Sequence, residues 1–300
     1  ACGSGACAAV YASMIKNFTK NNVDIPSIGL GTWDLRGNEC ENAIQVALDV
    51  GYRHIDTAQM YENEKEIGNA ITNSKIKRDK LFITTKINTL VVKNNTISDS
   101  FEKSLQNLKT DFVDLLLIHF PVFTTNLSDM LKILFKLKEV GKTKNIGISN
   151  FNHSLVQECI DLGYEDIFCN QVEYHPYLNQ KNITEAVKEH NILPVAYCPL
   201  AKGELLDDKI ILEIANRYSK TPAQIVLRWL NQQDWIAIPK SANENRMKEN
   251  MNIFDFKISV EDMNSLHNLS RNFRAVPCAL GTNHQIDLPS KHGVNGLELI

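Results

Sequence analysis

The chain has 300 residues, with 32 basic and 35 acidic side chains for a formal charge of −3, and is 43% hydrophobic and 22% charged. This balance excludes a disordered or collagen-like chain, and with no block of like charges it leaves no footprint for nucleic acid or an acidic membrane surface. The 7 cysteines are odd in number, scattered and free of any C-x-x-C pair, which points to a reduced, cytoplasmic protein with no zinc or other metal motif.

No apolar run is long enough to span a membrane. Residues 1–13 are small and apolar but carry no basic charge before Lys16, so they do not read as a secretory signal. The N-x-S/T matches, such as Asn17-Phe18-Thr19, are therefore read as chance in an Asn-rich chain. Asn21-Asn22, between Ile15-Lys16-Asn17-Phe18 and Val23-Asp24-Ile25, predicts a small hairpin. Short β-rich runs then alternate with helical stretches. Strands are predicted at 28–32, 52–56, 81–87, 113–119, 145–149, 167–172, 192–197 and 235–239. Between them, 39–50, 97–108, 127–140, 179–189 and 207–218 place apolar residues three and four apart, as crossover helices do. Leu115-Leu116-Leu117-Ile118 is continuously apolar, the mark of a parallel strand covered on both faces. Thr221-Pro222 reads as an N-cap with proline at the first helical position, and Ser259 opens another helix before Val260-Glu261-Asp262.

Eight strand–helix units without a composition break favour one closed barrel over two doubly wound halves. The fold class is α/β: a (β/α)8 TIM barrel in a single domain over 14–275, with an N-terminal hairpin and an extra C-terminal helix and loop. Such barrels carry their sites at the C-terminal strand ends. There the predicted strands present Asp56, Lys86, His119, Ser149-Asn150, Gln171, Tyr197 and Lys240-Ser241 in turn. Each has a plain structural reading alone: Asp56 as a cap, Lys86 as a solvated edge charge, His119 as a core histidine. Seven convergent positions at one rim are better explained as a site than as caps. No nucleophile stands beside a base, no H-E-x-x-H occurs, and no pair of strand-end carboxylates suits a glycosidase. A lysine, an aspartate, a histidine and the nearby Tyr61, among amides and an aromatic, suit proton donation to a carbonyl oxygen while a cofactor supplies electrons. No glycine-rich Rossmann loop follows a strand, so a dinucleotide would bind at the strand ends instead.

Ile28-Gly29-Leu30-Gly31-Thr32-Trp33 and the run G-Y-R-H-I-D-T-A-Q-M-Y-E-N-E from Gly51 to Glu64 resemble the aldo-keto reductase family. The match continues in order through Leu117-Ile118-His119-Phe120-Pro121, Ile146-Gly147-Ile148-Ser149-Asn150-Phe151, Asn170-Gln171-Val172-Glu173-Tyr174-His175-Pro176 and Ile238-Pro239-Lys240-Ser241, covering about 15–270. The resemblance implies a catalytic tetrad of Asp56, Tyr61, Lys86 and His119, with Tyr61 as general acid. A phenol near pKa 10 is a poor acid at neutral pH, so Lys86 is expected to lower it, with Asp56 holding Lys86 by an ion pair and His119 orienting the carbonyl. It further implies NADPH as cofactor, with Ser149, Asn150 and Gln171 on the carboxamide, Tyr197 stacked on the nicotinamide, and Thr32, Cys198 and Leu200 also in contact. Lys240, Ser241 and Arg246 would hold the 2′-phosphate, with Glu249 and Asn250 toward the adenine. Trp33, His119 and Phe120 would line the substrate pocket, while Met60 reads as a core residue.

Phe120 stands where the family commonly has tryptophan, and Cys198 where it has serine. The first change is expected to widen the pocket and the second to leave only a weak thiol donor. Residues 1–13, A-C-G-S-G-A-C-A-A-V-Y-A-S, resemble the segment around a catalytic cysteine of diaminopimelate epimerase and read as a non-family extension ahead of Met14. The pattern fades from about Asn272, so the tail at 276–300 leaves substrate choice open. The expected protein is a monomeric reductase of small-molecule carbonyl compounds, with no nucleic-acid or membrane partner. An NADPH-binding redox sensor and a phosphate-binding barrel isomerase stand as alternatives.

Overall fold

The structure, a computed structural model, describes residues 16–89, 96–121, 126–178 and 180–276. Two antiparallel strands, β1 (Asn17–Lys20) and β2 (Val23–Pro26), turn at Asn21 and Asn22, whose φ angles are 53° and 61°. A two-residue hairpin turn of this hand needs two left-handed residues, and asparagine is the side chain that best tolerates them. Eight parallel strands follow in sequence order. They are β3 (Leu30–Gly31), β4 (His54–Asp56), β5 (Phe82–Ile87), β6 (Val113–Ile118), β7 (Thr143–Ser149), β8 (Cys169–Glu173), β9 (Leu193–Tyr197) and β10 (Ile236–Ile238). The sheet closes on itself where Gly29 N donates to Ala237 O at 2.9 Å and Gly31 N to Pro239 O at 3.1 Å. The expected barrel and hairpin are both present.

The pleat sorts side chains into two layers. Leu115 and Leu117 point inward with Phe82, Cys169, Val195, Ile236 and Ile238, whereas Leu116 and Ile118 face the helices. Ile25 of the hairpin joins the inner cluster, and Lys20 Nζ donates to Ile167 O at 2.5 Å and Asn191 O at 2.6 Å. The hairpin thus plugs the end where the strands begin, and the opposite end stays open.

The helices are α1 (Gly37–Val50), α2 (Glu64–Asn73), α3 (Ile97–Leu108), α4 (Leu127–Glu139), α5 (His153–Asp161), α6 (Lys181–Glu189), α7 (Lys209–Tyr218), α8 (Pro222–Gln232), α9 (Glu244–Met251) and α10 (Val260–His267). Sequence periodicity had marked neither α2, α5 nor α9; all three are short, with few buried apolar positions to set a period. Thr221 forms a full capping box with Gln224, and Ser259 accepts from Asp262 N, as their sequence context predicted. None of these helices is long and apolar enough to cross a membrane.

Strand ends differ from expectation. Tyr52, Leu81, Ile192 and Trp235 are buried but lie ahead of the ladder, because an apolar run records burial rather than pairing. Lys86 is one residue short of the end of β5, His119 one residue past β6, and Lys240 beyond β10. The expected extension at 1–13, the tail at 277–300 and Asn179 of the helix predicted at 179–189 lie outside the described residues.

Gly31 sits in the closing seam, where an added Cβ would stand 2.6 Å from Ile238 O. Gly31→Ala is expected to cost about 1–3 kcal/mol by wedging the seam. Urea unfolding of the variant measures this, and an unshifted midpoint would mean that the seam yields freely.

Candidate active site

The two-residue period of the pleat carries the site. His54, Phe82 and Cys169 occupy the barrel interior, so Asp56, Lys86 and Gln171, each an even number of residues further along its strand, point into the same interior one level up. Lys86 is wholly buried there. Its Nζ donates to Asp56 Oδ1 at 2.5 Å and Thr57 O at 2.8 Å, and lies 3.5 Å from Tyr61 OH. The second Asp56 oxygen accepts from Gln171 Nε2 at 2.7 Å.

Tyr61 reaches this group from a single 3-10 turn, Gln59–Tyr61, that follows β4. Two side chains not singled out from the sequence fix that turn. Gln59 Nε2 donates to Ser104 Oγ at 3.0 Å and Ser100 O at 3.2 Å, while its Oε1 accepts from Asn88 N at 2.8 Å. Asn63 Nδ2 donates to Thr32 O at 2.9 Å and Leu35 O at 3.1 Å, and its Oδ1 accepts from Thr57 Oγ1 at 2.7 Å. Both are polar residues inside the motif, which was the available signal.

The electrostatics overturn one expectation. Burial pushes the Tyr61 phenol above its ordinary value; the Lys86 ammonium pulls it down but does not prevail, so the predicted lowering is not present. Burial works against the Lys86 charge, yet Asp56 and Tyr61 outweigh it and the ammonium is held above its ordinary range. Burial, helped by Lys86, drives His119 well below its usual value, leaving a neutral imidazole. The His119 ring meets Tyr61 edge-on at 5.7 Å and stacks on Phe120 at 4.6 Å. Its Nδ1 is buried with no hydrogen-bond partner among the described residues.

These residues open into one cavity of about 810 Å³. Its wall includes Asp56, Tyr61, His119, Ser149, Asn150, Gln171 and Tyr197, then Thr32, Cys198 and Leu200, with Trp33 and Phe120 to one side. Lys240, Ser241, Arg246, Glu249 and Asn250 also line it. Lys86 is the exception among the expected residues, lying beneath the wall. Met60, read from the sequence as core, is half-buried and on the wall. Asn150 Nδ2 donates to His119 O at 2.8 Å, Tyr197 OH to Asn150 Oδ1 at 3.0 Å, and Ser149 Oγ to Gln171 O at 2.8 Å, so the amide group is rigidly interlocked.

Away from the tetrad, Asn243 caps α9 by accepting from Arg246 N at 3.0 Å. Lys248 is paired with Glu244, whereas Lys240 and Arg246 enter no ion pair among the described residues. Two unpaired cations and a serine at a helix start are a donor set suited to a phosphate group. Sequence reasoning missed Lys202, Leu206, Thr221, Pro222 and Val276 on the wall. The loop after β9 has φ of 49° at Cys198, 47° at Ala201, 55° at Lys202 and 99° at Gly203. Only the glycine advertises that path. Lys202 Nζ lies 5.1 Å from the centre of the half-exposed Trp33 ring, joining the loops after β9 and β3, which flank β10.

A family model for the Aldo/keto reductase family matches residues 27–271. Glyoxal reductase of Bacillus subtilis is 39% identical over 258 residues, covering 86% of this chain and 93% of that protein. Prostaglandin F synthase 1 of Bos taurus is 35% identical over 300 residues, covering 87% of this chain and 93% of that protein. The solved aldose reductase of Schistosoma japonicum superposes with a TM-score of 0.85 at 34% identity, covering 93% of this chain and all of that one.

His54, buried below Asp56, has its pKa lowered by burial to about 4, and His119 shifts in the same direction. Both bind a proton more weakly folded than unfolded, so below about pH 6.5 the unfolded chain takes up more protons and stability falls with pH. From pH 7 to 5, His54 alone is expected to remove about 2 kcal/mol. Urea unfolding at the two pH values tests this, and His54→Gln should flatten its share of the slope. A slope unchanged by that substitution would refute the assignment.

Proposed function

Since the chain belongs to the aldo/keto reductase family of oxidoreductases, we propose that its cavity binds NADPH and reduces an aldehyde or ketone to the alcohol, with Tyr61 donating the proton. The observation that carries this reading is that Asp56, Tyr61 and His119, with Lys86 directly beneath them, line the same cavity that also exposes the unpaired Lys240 and Arg246.

Bound NADPH supplies a hydride for the carbonyl carbon. The chain's own part is to hold the carbonyl, deliver one proton to its oxygen and stabilise the charge that develops there. Burial keeps the Tyr61 O–H intact until that charge appears, which makes the raised phenol a reservoir of the proton rather than a hindrance. Once the proton has left, the phenolate stands 3.5 Å from the Lys86 ammonium, which lowers the cost of releasing it. Asp56 keeps Lys86 charged and in place. His119, neutral, has a single N–H to offer the carbonyl oxygen and does not compete with Tyr61 as an acid.

Ser149, Asn150 and Gln171 suit a carboxamide; Gln171 turns its Nε2 to Asp56, which leaves its carbonyl oxygen available as an acceptor. Tyr197 gives an aromatic face for the nicotinamide. Thr32, Cys198 and Leu200 line the cofactor path, and burial pushes the Cys198 thiol up to about 11, so it acts as a neutral donor. Lys240, Ser241 and Arg246 hold the 2′-phosphate, with Glu249 and Asn250 beside the adenine. Trp33 and Phe120 flank the carbonyl compound. The described cysteines are unpaired, in keeping with the cytoplasm.

Tyr61→Phe is expected to lower NADPH-dependent turnover of an aldehyde and ketone panel by roughly a hundredfold or more while NADPH affinity stays within a few-fold. Absorbance and fluorescence of NADPH read the two separately. Retained turnover would refute the donor assignment, and binding without turnover in the wild type would favour the redox-sensing alternative.

In a second test, Lys240→Ala and Arg246→Ala should each weaken NADPH binding by roughly tenfold to a hundredfold and leave NADH affinity little changed. Equal loss for both nucleotides would contradict the 2′-phosphate assignment.

A further inference from the structure

Glu173 ends β8 two residues beyond Gln171, and the mechanism above makes no use of it. Its side chain is wholly buried and both oxygens are occupied. Oε1 accepts from Ala275 N at 2.6 Å and Val276 N at 3.3 Å and lies 3.0 Å from His175 Nε2, while Oε2 pairs with Arg274 Nη1 at 3.2 Å. Gln180 Nε2 holds the Glu173 backbone carbonyl at 3.0 Å. A carboxylate this far from water is tolerable only when its charge and lone pairs are matched, so the chain segment that matches them is fixed in position. That segment is 274–276, and Val276 is part of the cavity wall.

The same stretch of chain grips the segment a second time. Arg271 N and Phe273 N donate to Tyr177 O at 3.1 and 3.0 Å, and the Arg271 guanidinium lies 3.8 Å over the Tyr177 ring. Tyr177 OH in turn donates to Asp208 Oδ2 at 2.8 Å, the N-cap of α7, which follows the cavity loop after β9.

We propose that Glu173 is a specificity-determining positioning residue: its buried carboxylate draws residues 274–276 against the end of β8 and so sets Val276 as the wall that meets the part of a carbonyl substrate extending beyond the reacting group. This rests on the carbonyl-reduction reading. The wall acts only on a substrate large enough to reach it, so the anchor governs KM for large apolar carbonyls and leaves kcat and small substrates alone.

The test compares wild type, Glu173→Gln and Arg274→Met, all checked for folding by circular dichroism, with 2-naphthaldehyde and propanal. In both variants KM for 2-naphthaldehyde is expected to rise roughly fivefold to tenfold, with kcat and the KM for propanal within twofold. A general loss of structure would move both substrates together. An unchanged, lowered or parallel shift overturns the proposal. Calorimetric titration with the unreactive 2-naphthamide reads the wall without turnover: its Kd should rise by a similar factor in Glu173→Gln, and an unchanged Kd overturns the anchor. Failure of the wild type to consume NADPH with any carbonyl would instead overturn the reductase reading, so the two failures are distinguishable.

Discussion

An ammonium group at the centre of a barrel is the constraint around which the open end is organised. Lys86 has no access to solvent, and an unpaired charge there would cost several kcal/mol. It is tolerated because Asp56, on the neighbouring strand, lies 2.5 Å away and the carbonyl of Thr57 takes a second donor. That requirement propagates outward. Asp56 must have its other oxygen satisfied, which brings in Gln171 from the far side of the barrel, and the third position around the ammonium falls toward Tyr61. The buried pair therefore fixes three strands and one turn relative to each other, and the same contacts keep the Tyr61 hydroxyl beside a permanent positive charge.

How much of this was readable in advance follows from the pleat. Side chains alternate strictly along a strand, so a barrel with an apolar interior column at Phe82, Leu115, Leu117 and Cys169 must place Lys86, His119 and Gln171 in register above it. The eight strands and the placement of the strand-end side chains at one rim were accordingly legible, and errors of one residue in a strand end did not move any side chain to the other face. Helices with few apolar anchors, such as Glu244–Met251, carried too weak a period to be seen.

Other features were hidden for physical reasons. The direction of the Tyr61 shift is a difference between desolvation and the field of Lys86, and a sequence names the second without measuring the first. The loop that includes Ala201 and Lys202 follows left-handed geometry that those residues do not advertise, and its wall positions went unread as a result. Glu173 lies within a motif beside its local partner His175, yet Arg274, Ala275 and Val276 stand about a hundred residues later in sequence, a separation at which no local pattern operates.

Gln171 and Glu173 show how one strand can serve two demands. They share a face of β8, two residues apart. Gln171 turns its amide to the buried Asp56, and Glu173 turns its carboxylate to the segment that ends at Val276. A displacement of β8 along its axis would therefore disturb the charged pair and the cavity wall together, whereas a change in the terminal segment alone would reach only the wall. Stiffness is placed where the charge must be held, and the terminal segment on the cavity wall is attached to the end of β8 by the buried Glu173 carboxylate and, a few residues earlier, by the Tyr177 carbonyl. Such an arrangement lets the pocket be reshaped by substitution in the terminal segment without disturbing Tyr61, because the path from Val276 to Tyr61 runs through a strand that the Lys86–Asp56 pair already locks.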